Sequence, residues 1–404
     1  MRIPPQTWMT APETRAVMDI LNRDGDMARF VGGCVRSAVL DLPIADVDIA
    51  TRYNPETVTK ILEAEGIRVV PTGLEHGTVT AVVNHEHFEI TTLRLDVETD
   101  GRRAVVAFTE DWREDAARRD FTMNAMFMRP DGSLDDPFGG HSDALAGKVR
   151  FVGDPVTRIR EDVLRILRFF RFHAHYGRGA IDPAGLHACH ETAPLIRELS
   201  GERIRVEFLK LLVAPSPLSV LEIMEKSGVL PVFLPGPYDF ETLSRLIAFG
   251  SRTPDPVLRL AAFAPERADQ AFRASERMRF SNAEAARFHT LSTTELAPLP
   301  EEAAARREIY RHGNALFEDL IRLQAARGVL DLRHAERLRT LSAHWPKPEL
   351  PVRGADLVKM GLAAGPAVGE ALRRLEAWWI AGDFAPDRET CLAETRRIIA
   401  EESK

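Results

Sequence analysis

The stretch VGGCVRSAVLDLPIADVDIAT, residues 31–51, contains two aspartates one residue apart, downstream of a pair of glycines. On a β-strand over 46–50, Asp46 and Asp48 project from the same face, because side chains two positions apart point the same way. Two carboxylates held so close need a cation, and enzymes that exchange one phosphate oxygen for another commonly supply two divalent ions. Mg²⁺ matches this sparse ligand set because it keeps several waters and accepts substrate phosphate oxygens. Asp46 and Asp48 are therefore predicted to bind two Mg²⁺ ions.

The glycine pair of the same stretch predicts an anion site. Gly32 and Gly33 end a strand, and the backbone N–H groups of the helix that follows would face a phosphate group. Arg36, one turn into that helix, adds a charge-assisted hydrogen-bond donor. A Gly-Gly pair alone is typical of a plain turn, and an Asp-x-Asp pair alone is typical of a solvated strand edge. Because both occur in one short stretch, we interpret Gly32, Gly33 and Arg36 as a triphosphate site in a centre for nucleotidyl transfer.

The composition restricts the class of protein. The chain has 404 residues, of which 45% are hydrophobic and 28% are charged, with a formal net charge of -7. These values are ordinary for a globular protein, so a nucleic-acid partner would need local basic patches. Cys34, Cys189 and Cys391 are far apart, which indicates a reducing compartment and neither a disulfide framework nor a cysteine zinc site. The sequence shows no signal-peptide pattern and no apolar run of about 20 residues, so we expect a cytoplasmic protein without a membrane partner.

The chain divides into a mixed N-terminal part and a helical remainder. Short β-type runs and turn signals occupy about 28–129, whereas helix-type apolar spacing dominates after residue 159. The fold class is therefore predicted to be α+β, with a mixed or antiparallel sheet and helices in a head, followed by an all-helical neck, body and tail. The predicted domains are the head (1–130), the linker and neck (131–195), the body (196–342) and the tail (343–404).

The residues of the opening stretch resemble the DNA polymerase β nucleotidyltransferase superfamily, and in particular its class II bacterial CCA-adding enzymes and poly(A) polymerases. The resemblance implies a polymerase-β-like head in which a third carboxylate, from a neighbouring strand, completes the catalytic set. Glu89 in HFEITTLR (87–94) matches that carboxylate, on a strand whose Phe88 and Ile90 would face the core. An exposed strand residue is the alternative interpretation of Glu89. The resemblance is specific over 28–172 and looser beyond it.

The block EDAARRDFTMNAMF, residues 114–127, is similar to the family's Arg-Arg-Asp motif. Its polar residues precede an apolar run, which predicts a buried helix with this polar group at its mouth. The resemblance implies that Arg119 contacts the nucleotide and that Asp120 and Asn124 hold its sugar. Arg118 is interpreted as a solvated surface charge.

In the block REDVLRILRFFRF, residues 160–172, Asp162, Arg165 and Arg168 recur every three positions, which predicts a charged stripe on one helix. Such a stripe is normally a solvated face. Cytosine and adenine, however, both present an amino donor beside a ring-nitrogen acceptor, whereas uracil and guanine present a carbonyl beside an N–H donor. Asp162 with Arg165 would select C and A, because the wrong bases would leave buried polar groups unpaired. The resemblance assigns them this role and implies further nucleotide contacts by Arg168 and Arg171.

The resemblance implies a template-independent enzyme that adds C, C and A to the 3′ end of tRNA from CTP and ATP and releases pyrophosphate. A poly(A) polymerase, or a partial enzyme that adds only CC or only A, shares the head and stays an alternative. A non-catalytic RNA-binding protein is disfavoured, because two adjacent unneutralised carboxylates do not stabilise a fold. Residues 195–235 and 352–372 resemble the family's RNA-binding region and tail, and a loop over 96–112 resembles its mobile head loop. Both a monomer and a dimer are compatible with the sequence.

Overall fold

The computed structural model describes residues 1–99, 104–250, 253–265, 273–296 and 302–402. The chain forms two compact units, one of residues 1–236 with 272–280 and the other of residues 237–271 with 281–404. All described strands lie in the first unit, and the described part of the second unit is helical. The predicted α+β class, with a sheet-containing head followed by helices, is therefore confirmed.

The first unit contains a seven-stranded mixed sheet and a separate two-stranded sheet. The strands are β1 (Ala28–Val31), β2 (Val47–Thr51), β3 (Arg68–Gly73), β4 (Thr78–Val83), β5 (Glu86–Thr92), β6 (Arg94–Thr99), β7 (Ala104–Phe108), β8 (Phe127–Met128) and β9 (Leu134–Asp135). The large sheet has the order β3-β4-β5-β2-β1-β8-β9, and β6 pairs only with β7. Within the large sheet β2 and β5 run parallel, whereas the other described pairs are antiparallel. Residues 100–103 of the predicted head loop lie outside the described residues.

The helices follow the sequence in chain order. Up to residue 236 they are α1 (Thr7–Thr10), α2 (Pro12–Leu21), α3 (Gly33–Val39), α4 (Pro55–Ala64), α5 (Trp112–Ala117), α6 (Gly140–Ala146), α7 (Pro155–Glu161), α8 (Leu164–Tyr176), α9 (Pro183–Thr192), α10 (Gly201–Leu212), α11 (Pro217–Lys226) and α12 (Leu230–Phe233). The others are α13 (Phe240–Ala248), α14 (Pro256–Phe263), α15 (Ala274–Arg277), α16 (Asn282–Thr293), α17 (Glu302–His312), α18 (Asn314–Ala326), α19 (Leu332–His344), α20 (Gly354–Lys359), α21 (Pro366–Ala381) and α22 (Arg388–Glu402). Short 3₁₀ turns occur at Leu74–His76, Thr122–Asn124 and Ala193–Glu198.

The core of the head buries one set of strand side chains and leaves those on the opposite face of the sheet free to form a site. Phe30, Ile49 and Ile90 are fully or almost fully buried in one apolar cluster with residues of α2 and α4. Burial of each such side chain stabilises the fold by about 1.5–3 kcal/mol. Because strand side chains alternate between faces, this packing turns Asp48 and Glu89 to the opposite side of the sheet. The prediction that Phe88 and Ile90 face the core is confirmed by their burial.

Two local predictions about secondary structure are wrong. The strand over 46–50 begins at Val47, so Asp46 precedes β2 instead of lying within it. The apolar run after Asp120 forms only the 3₁₀ turn Thr122–Asn124 before β8, because strand pairing with β1 overrides its helix-type spacing.

The predicted helix over 160–172 is interrupted. α7 ends at Glu161, Asp162 has an extended backbone with φ -148° and ψ 104°, and α8 begins at Leu164. The Asp162 carboxylate accepts a hydrogen bond from the Leu164 N–H at 3.1 Å, and an aspartate that bonds its neighbouring backbone in this way competes with the helical hydrogen bonds. Asp162 therefore occupies a break between two helices, not a helical stripe.

The second unit has its own apolar cluster, which includes Val352, Leu357, Leu375, Trp379 and Cys391. Residues 345–353 contain no helix and connect α19 to α20. Residues 360–365 separate α20 from α21. Within the described ranges of both units, no helix is long and apolar enough to cross a membrane.

Candidate active site

The parallel pairing of β2 with β5 brings two of the predicted carboxylates together. Asp48 lies directly opposite Glu89 in the register of these strands, although the two residues are far apart in sequence. Burial raises the pKa of the half-buried Asp48 to about 6, and repulsion from Glu89 and Asp46 adds to the increase. Arg119 and Arg36 act in the opposite direction. Asp46 and Glu89 therefore lie close enough to Asp48 for their negative charges to raise its pKa.

This carboxylate group fits a hard divalent cation. The raised pKa of Asp48 means that its charged form lacks sufficient positive charge nearby, and a bound cation would supply it. Mg²⁺ and similar ions prefer oxygen ligands and accept the remaining ones from water or phosphate. Among the residues that the structure describes, no three histidine, cysteine, aspartate or glutamate side chains are gathered closely enough to hold a metal by themselves. A cation at Asp46 and Asp48 would therefore need further ligands from water or substrate.

The glycine turn lies beside these carboxylates. Gly32 caps the start of α3 with φ 71° and ψ -121°, a conformation that is strained for residues with a Cβ atom, and Gly33 is the first residue of the helix. A Cβ atom at Gly32 would lie 3.7 Å from Arg119 Nη1 and 3.8 Å from Asp48 Oδ2. The turn therefore brings the backbone close to one carboxylate and one guanidinium of the predicted site.

Arg36 is held from two sides. Its Nη1 donates to Asn124 Oδ1, and its Nη2 donates to the Tyr176 hydroxyl at 3.0 Å. Its Nε is buried and has no hydrogen-bond partner. Burial lowers the pKa of Arg36, whereas Tyr176 and Asp120 raise it. The predicted triphosphate arginine is thus anchored to Asn124, another predicted site residue, and to Tyr176, which the sequence did not indicate.

A buried carboxylate anchors the Arg-Arg-Asp motif. Asp115 is 1% exposed and accepts hydrogen bonds from Arg118 at 2.6 and 2.9 Å and from Arg119 at 2.8 and 3.1 Å. Burial alone would raise the pKa of Asp115, but the two guanidiniums outweigh it and hold the pKa below its usual value. The interpretation of Arg118 as a solvated charge is wrong, because its side chain is only 15% exposed and is committed to this pair.

Asp120 and Asn124, both predicted to hold the sugar, form one hydrogen-bonded group. Asp120 Oδ1 accepts from Asn124 Nδ2 at 2.9 Å, and Oδ2 accepts from Arg168 Nε at 2.7 Å. Burial alone would raise the pKa of Asp120, but Arg168 and the hydrogen bonds from its neighbours lower it overall. Asp120 and Asn124 are therefore tied to Arg168, a predicted nucleotide contact on α8.

Glu207 on α10 links two of the predicted arginines, Arg168 and Arg171. The Arg171 Nε donates to Glu207 Oε2 at 2.5 Å, and Arg168 Nη1 lies 3.8 Å from Glu207 Oε1. Phe172 lies among three guanidiniums, those of Arg36, Arg168 and Arg171, at 5.1, 5.2 and 4.7 Å from its ring centroid. Each such contact with an aromatic face is attractive for a cation. Glu207 and Phe172 were missed because no local spacing marks them.

The predicted pair of Asp162 and Arg165 is not formed. Arg203 Nη2 donates to both Asp162 oxygens at 2.9 and 3.0 Å. Arg165 is 9% exposed, and its guanidinium donates to Glu161 at 2.7 Å and to two backbone carbonyls, including that of Arg118 at 2.9 Å. The helix break at Asp162 causes the difference, because it removes Asp162 from the helical face that carries Arg165.

Comparison with protein families identifies two regions. Residues 28–150 match the family described as "Poly A polymerase head domain". Residues 180–239 match the family described as "Probable RNA and SrmB- binding site of polymerase A". The first region contains the carboxylates and the glycine turn, and the second contains Arg203 and Glu207.

Similar proteins extend this likeness to nearly the whole chain. The chain is 35% identical to the mitochondrial CCA tRNA nucleotidyltransferase 1 of Danio rerio, over 93% of this chain and 88% of that protein. It is 33% identical to the CCA-adding enzyme of Streptococcus gordonii, over 94% and 96% respectively. Its fold matches the crystal structure of the Bacillus stearothermophilus CCA-adding enzyme in complex with CTP, with a TM-score of 0.76, 29% identity and coverage of 97% and 98%. The carboxylate group, the glycine turn and the arginines thus occur in a chain that belongs to the family of CCA-adding tRNA nucleotidyltransferases.

Proposed function

We propose that this protein adds C, C and A to the 3′ end of tRNA from CTP and ATP and releases pyrophosphate. The observation that carries the proposal is the meeting of Asp48 and Glu89 beside the Gly32 turn and Arg119. Carboxylates next to a cationic group are what the transfer of a nucleotidyl group requires, since both the attacking and the leaving oxygen carry negative charge. The curated relatives named above are CCA-adding enzymes, which favours this function over a poly(A) polymerase.

Membership of this family implies dependence on a divalent metal. We propose that the metal is Mg²⁺, that two ions are used, and that Asp46 and Asp48 hold them while Glu89 shapes the field around Asp48. When bound, such ions lower the pKa of the attacking 3′-hydroxyl group and stabilise the charge on the leaving pyrophosphate. The carboxylates of Asp46 and Asp48 would hold the ions beside the place where the 3′-hydroxyl group meets the triphosphate.

The triphosphate would meet a set of cationic side chains. The proposed contacts are Gly33 through its backbone, with Gly32 setting the turn, and the guanidiniums of Arg36, Arg119, Arg168 and Arg171. Asp120 and Asn124 would hold the sugar, and they also connect Arg168 to Arg36 through hydrogen bonds. Because carboxylates and amides fix these guanidiniums in advance, binding a nucleotide would cost less side-chain entropy.

Selection of C and A is proposed to depend on Asp162. Its carboxylate would accept from the amino group of either base, and a guanidinium would donate to the adjacent ring nitrogen. Arg165 can take this part only after it leaves Glu161 and the carbonyl of Arg118. Arg203 already donates hydrogen bonds to the Asp162 carboxylate, and the amino group of the base would have to replace them.

The remaining proposals concern the wider molecule. The four-part division into head (1–130), neck (131–195), body (196–342) and tail (343–404) stays a proposal, as does tRNA binding by the body and tail. The proposal of tRNA binding is supported by the match of residues 180–239 to an RNA-binding family. A cytoplasmic location is consistent with three cysteines that are all buried and free.

One assay tests the function directly. A tRNA that ends before CCA is incubated with the protein, Mg²⁺ and one labelled nucleotide at a time, then with CTP and ATP together. We expect incorporation of C and A, refusal of U and G, and extension that stops at the terminal A. A long A tail would establish a poly(A) polymerase instead. Addition of C alone, or of A only to tRNA that already ends in CC, would establish a partial enzyme.

A further inference from the structure

The Arg36 side chain is held by a neighbour that the proposed reaction does not use. Tyr176, the last residue of α8, accepts a hydrogen bond from Arg36 Nη2 at 3.0 Å, and its ring centroid lies 4.5 Å from the Arg36 guanidinium carbon. A single tyrosine thus contacts the guanidinium through both its hydroxyl and its aromatic face. An aromatic face attracts a cation, and the attraction is stronger when the cation is desolvated.

The restraint on Arg36 comes from several directions. Asn124 accepts from Nη1, Tyr176 accepts from Nη2, and Phe172 lies 5.1 Å away on the same side as Tyr176. Phe172 and Tyr176 are one helical turn apart on α8, and their ring centroids are 5.6 Å from each other. Helical residues four apart face the same side, which explains why one helix supplies both rings. These contacts together restrain the orientation of the Arg36 guanidinium.

That orientation leaves one donor without a partner. Arg36 Nε is buried and makes no hydrogen bond, and an unpaired buried donor is costly. A Cβ atom at Gly33 would lie 3.8 Å from Arg36 Nη2, so the guanidinium lies against the turn at the start of α3. An anionic oxygen that reaches this turn would therefore meet a guanidinium that Tyr176 already holds beside Gly33.

We propose that Tyr176 is a positioning residue for the nucleotide triphosphate, which acts by holding the Arg36 guanidinium against the Gly33 turn. The inference rests on the proposed function, because it assigns the triphosphate to Arg36. Tyr176 itself touches no phosphate. Its loss would let the arginine side chain move and would weaken affinity for the triphosphate end of both nucleotides, without changing base selection or the chemical step.

The test is the variant Tyr176→Phe, which removes the hydroxyl and keeps the ring. Binding of CTP with Mg²⁺ is measured by titration calorimetry without tRNA, and the KM and kcat for CTP and ATP are measured in the incorporation assay. We expect the Kd and both KM values to rise about fivefold to tenfold, with kcat changed by less than about twofold. The inhibition constant of CMP, which lacks the β and γ phosphates, should change by less than about twofold.

Two further variants make the result specific. Tyr53→Phe is the matched control, because it removes a hydroxyl that bonds Asp24 at 3.1 Å on the surface of the same head. In an Arg36→Ala background, Tyr176→Phe should have no further effect on CTP binding, since the group that it positions is gone. Tyr176→Leu, which also removes the ring, should exceed Tyr176→Phe in its effect on KM.

The outcomes are separable. Unchanged CTP affinity in Tyr176→Phe overturns the inference, and so does a loss of kcat and melting temperature with unchanged KM, which indicates a purely structural role. An equal loss of CMP and CTP affinity also overturns it, because the effect would then not concern the β and γ phosphates. The calorimetric measurement needs no tRNA, so it judges Tyr176 even if the incorporation assay refutes CCA addition.

Discussion

Asp48 on β2 lies directly opposite Glu89 on β5, the neighbouring strand that pairs with β2 in parallel. The two residues are brought together by sheet pairing, and their mutual repulsion contributes to a pKa of about 6 at Asp48, after the larger effect of burial. A site that concentrates negative charge in this way gains most from a divalent cation.

Asp48→Asn is expected to reduce nucleotide incorporation by about a thousandfold or more. The reason is that it removes a carboxylate for the metal, and the metal supplies several kcal/mol of charge stabilisation in the transition state. Asp46→Ala should have a similar effect. Chelation with EDTA should abolish incorporation by the unaltered protein, and added Mg²⁺ should restore it. Binding of tRNA, measured by filter retention, should persist in both variants.

The matched control for this carboxylate group is on β5. Glu86→Gln changes an exposed glutamate on the same strand as Glu89, where it lies opposite Val83 and not Asp48. Incorporation by Glu86→Gln should stay within about twofold of the unaltered protein, whereas Glu89→Gln should lower it at least tenfold. Retained activity in Asp48→Asn would remove the proposed metal role.

The contributions of Asp162, Arg165 and Arg203 to base selection can be measured one at a time with single variants. We expect Asp162→Ala to raise incorporation of U relative to C by about tenfold to a hundredfold, since the acceptor for the amino group is lost. Arg165→Ala should relax selection in the same way if Arg165 joins Asp162 on the base. If Arg203 does so instead, Arg203→Ala will show the larger change.

The measurement for these variants is the ratio of kcat/KM for the four nucleotides on tRNA ending before CCA. Arg160→Ala is the control, because Arg160 is an exposed arginine near the end of α7. Unchanged selectivity in Asp162→Ala would contradict the assignment of Asp162 to the base.

Asp115→Asn is expected to destabilise the head by about 3–5 kcal/mol, because it leaves the guanidiniums of Arg118 and Arg119 buried without their shared carboxylate. Urea unfolding of the variant and of the unaltered protein measures the difference. Asp111→Asn, which keeps an N-cap acceptor at the exposed start of α5, is the control and should change stability by less than about 1 kcal/mol. A loss as small as that in Asp115→Asn would mean that solvent reaches the two arginines.

The lowered pKa of Asp26 predicts that the stability of the fold depends on pH. Hydrogen bonds from Arg29 lower the pKa of Asp26 to about 2, with help from Arg129 and against the effect of burial. Because the pKa is lower in the folded state, the stabilisation is fully present above the ordinary value near 3.8 and is lost as the pH falls through about 2. After allowance for screening at this partly exposed site, the contribution at neutral pH is about 1–2 kcal/mol.

The measurement is chemical unfolding of Asp26→Asn and of the unaltered protein at several pH values. The two curves should differ at pH 7 and converge as the pH approaches 2. Asp24→Asn, which alters a neighbouring surface carboxylate bonded to Tyr53, should follow the unaltered protein at each pH. A difference between Asp26→Asn and the unaltered protein that does not depend on pH would assign the effect to packing.

Local patterns in the sequence determined the parts of the site that depend on neighbouring residues. The alternation of Asp48 with Ile49, and of Glu89 with Phe88 and Ile90, follows from the two-residue repeat of a strand. The need for glycine at Gly32 follows from backbone conformation at a turn before a helix. Such features extend over a few residues, so their spacing alone is sufficient to predict them.

Tertiary structure alone decided which groups meet across long stretches of chain. Tyr176 contacts Arg36 from 140 residues away, Arg203 contacts Asp162 from 41 residues away, and neither contact has a periodic signature in the sequence. The sequence pattern indicated Arg165 as the partner of Asp162 because it assumed one unbroken helix. The Asp162 side chain, which accepts a hydrogen bond from the Leu164 N–H, marks the break in that helix, and the packing of α8 with α10 then selected the partner.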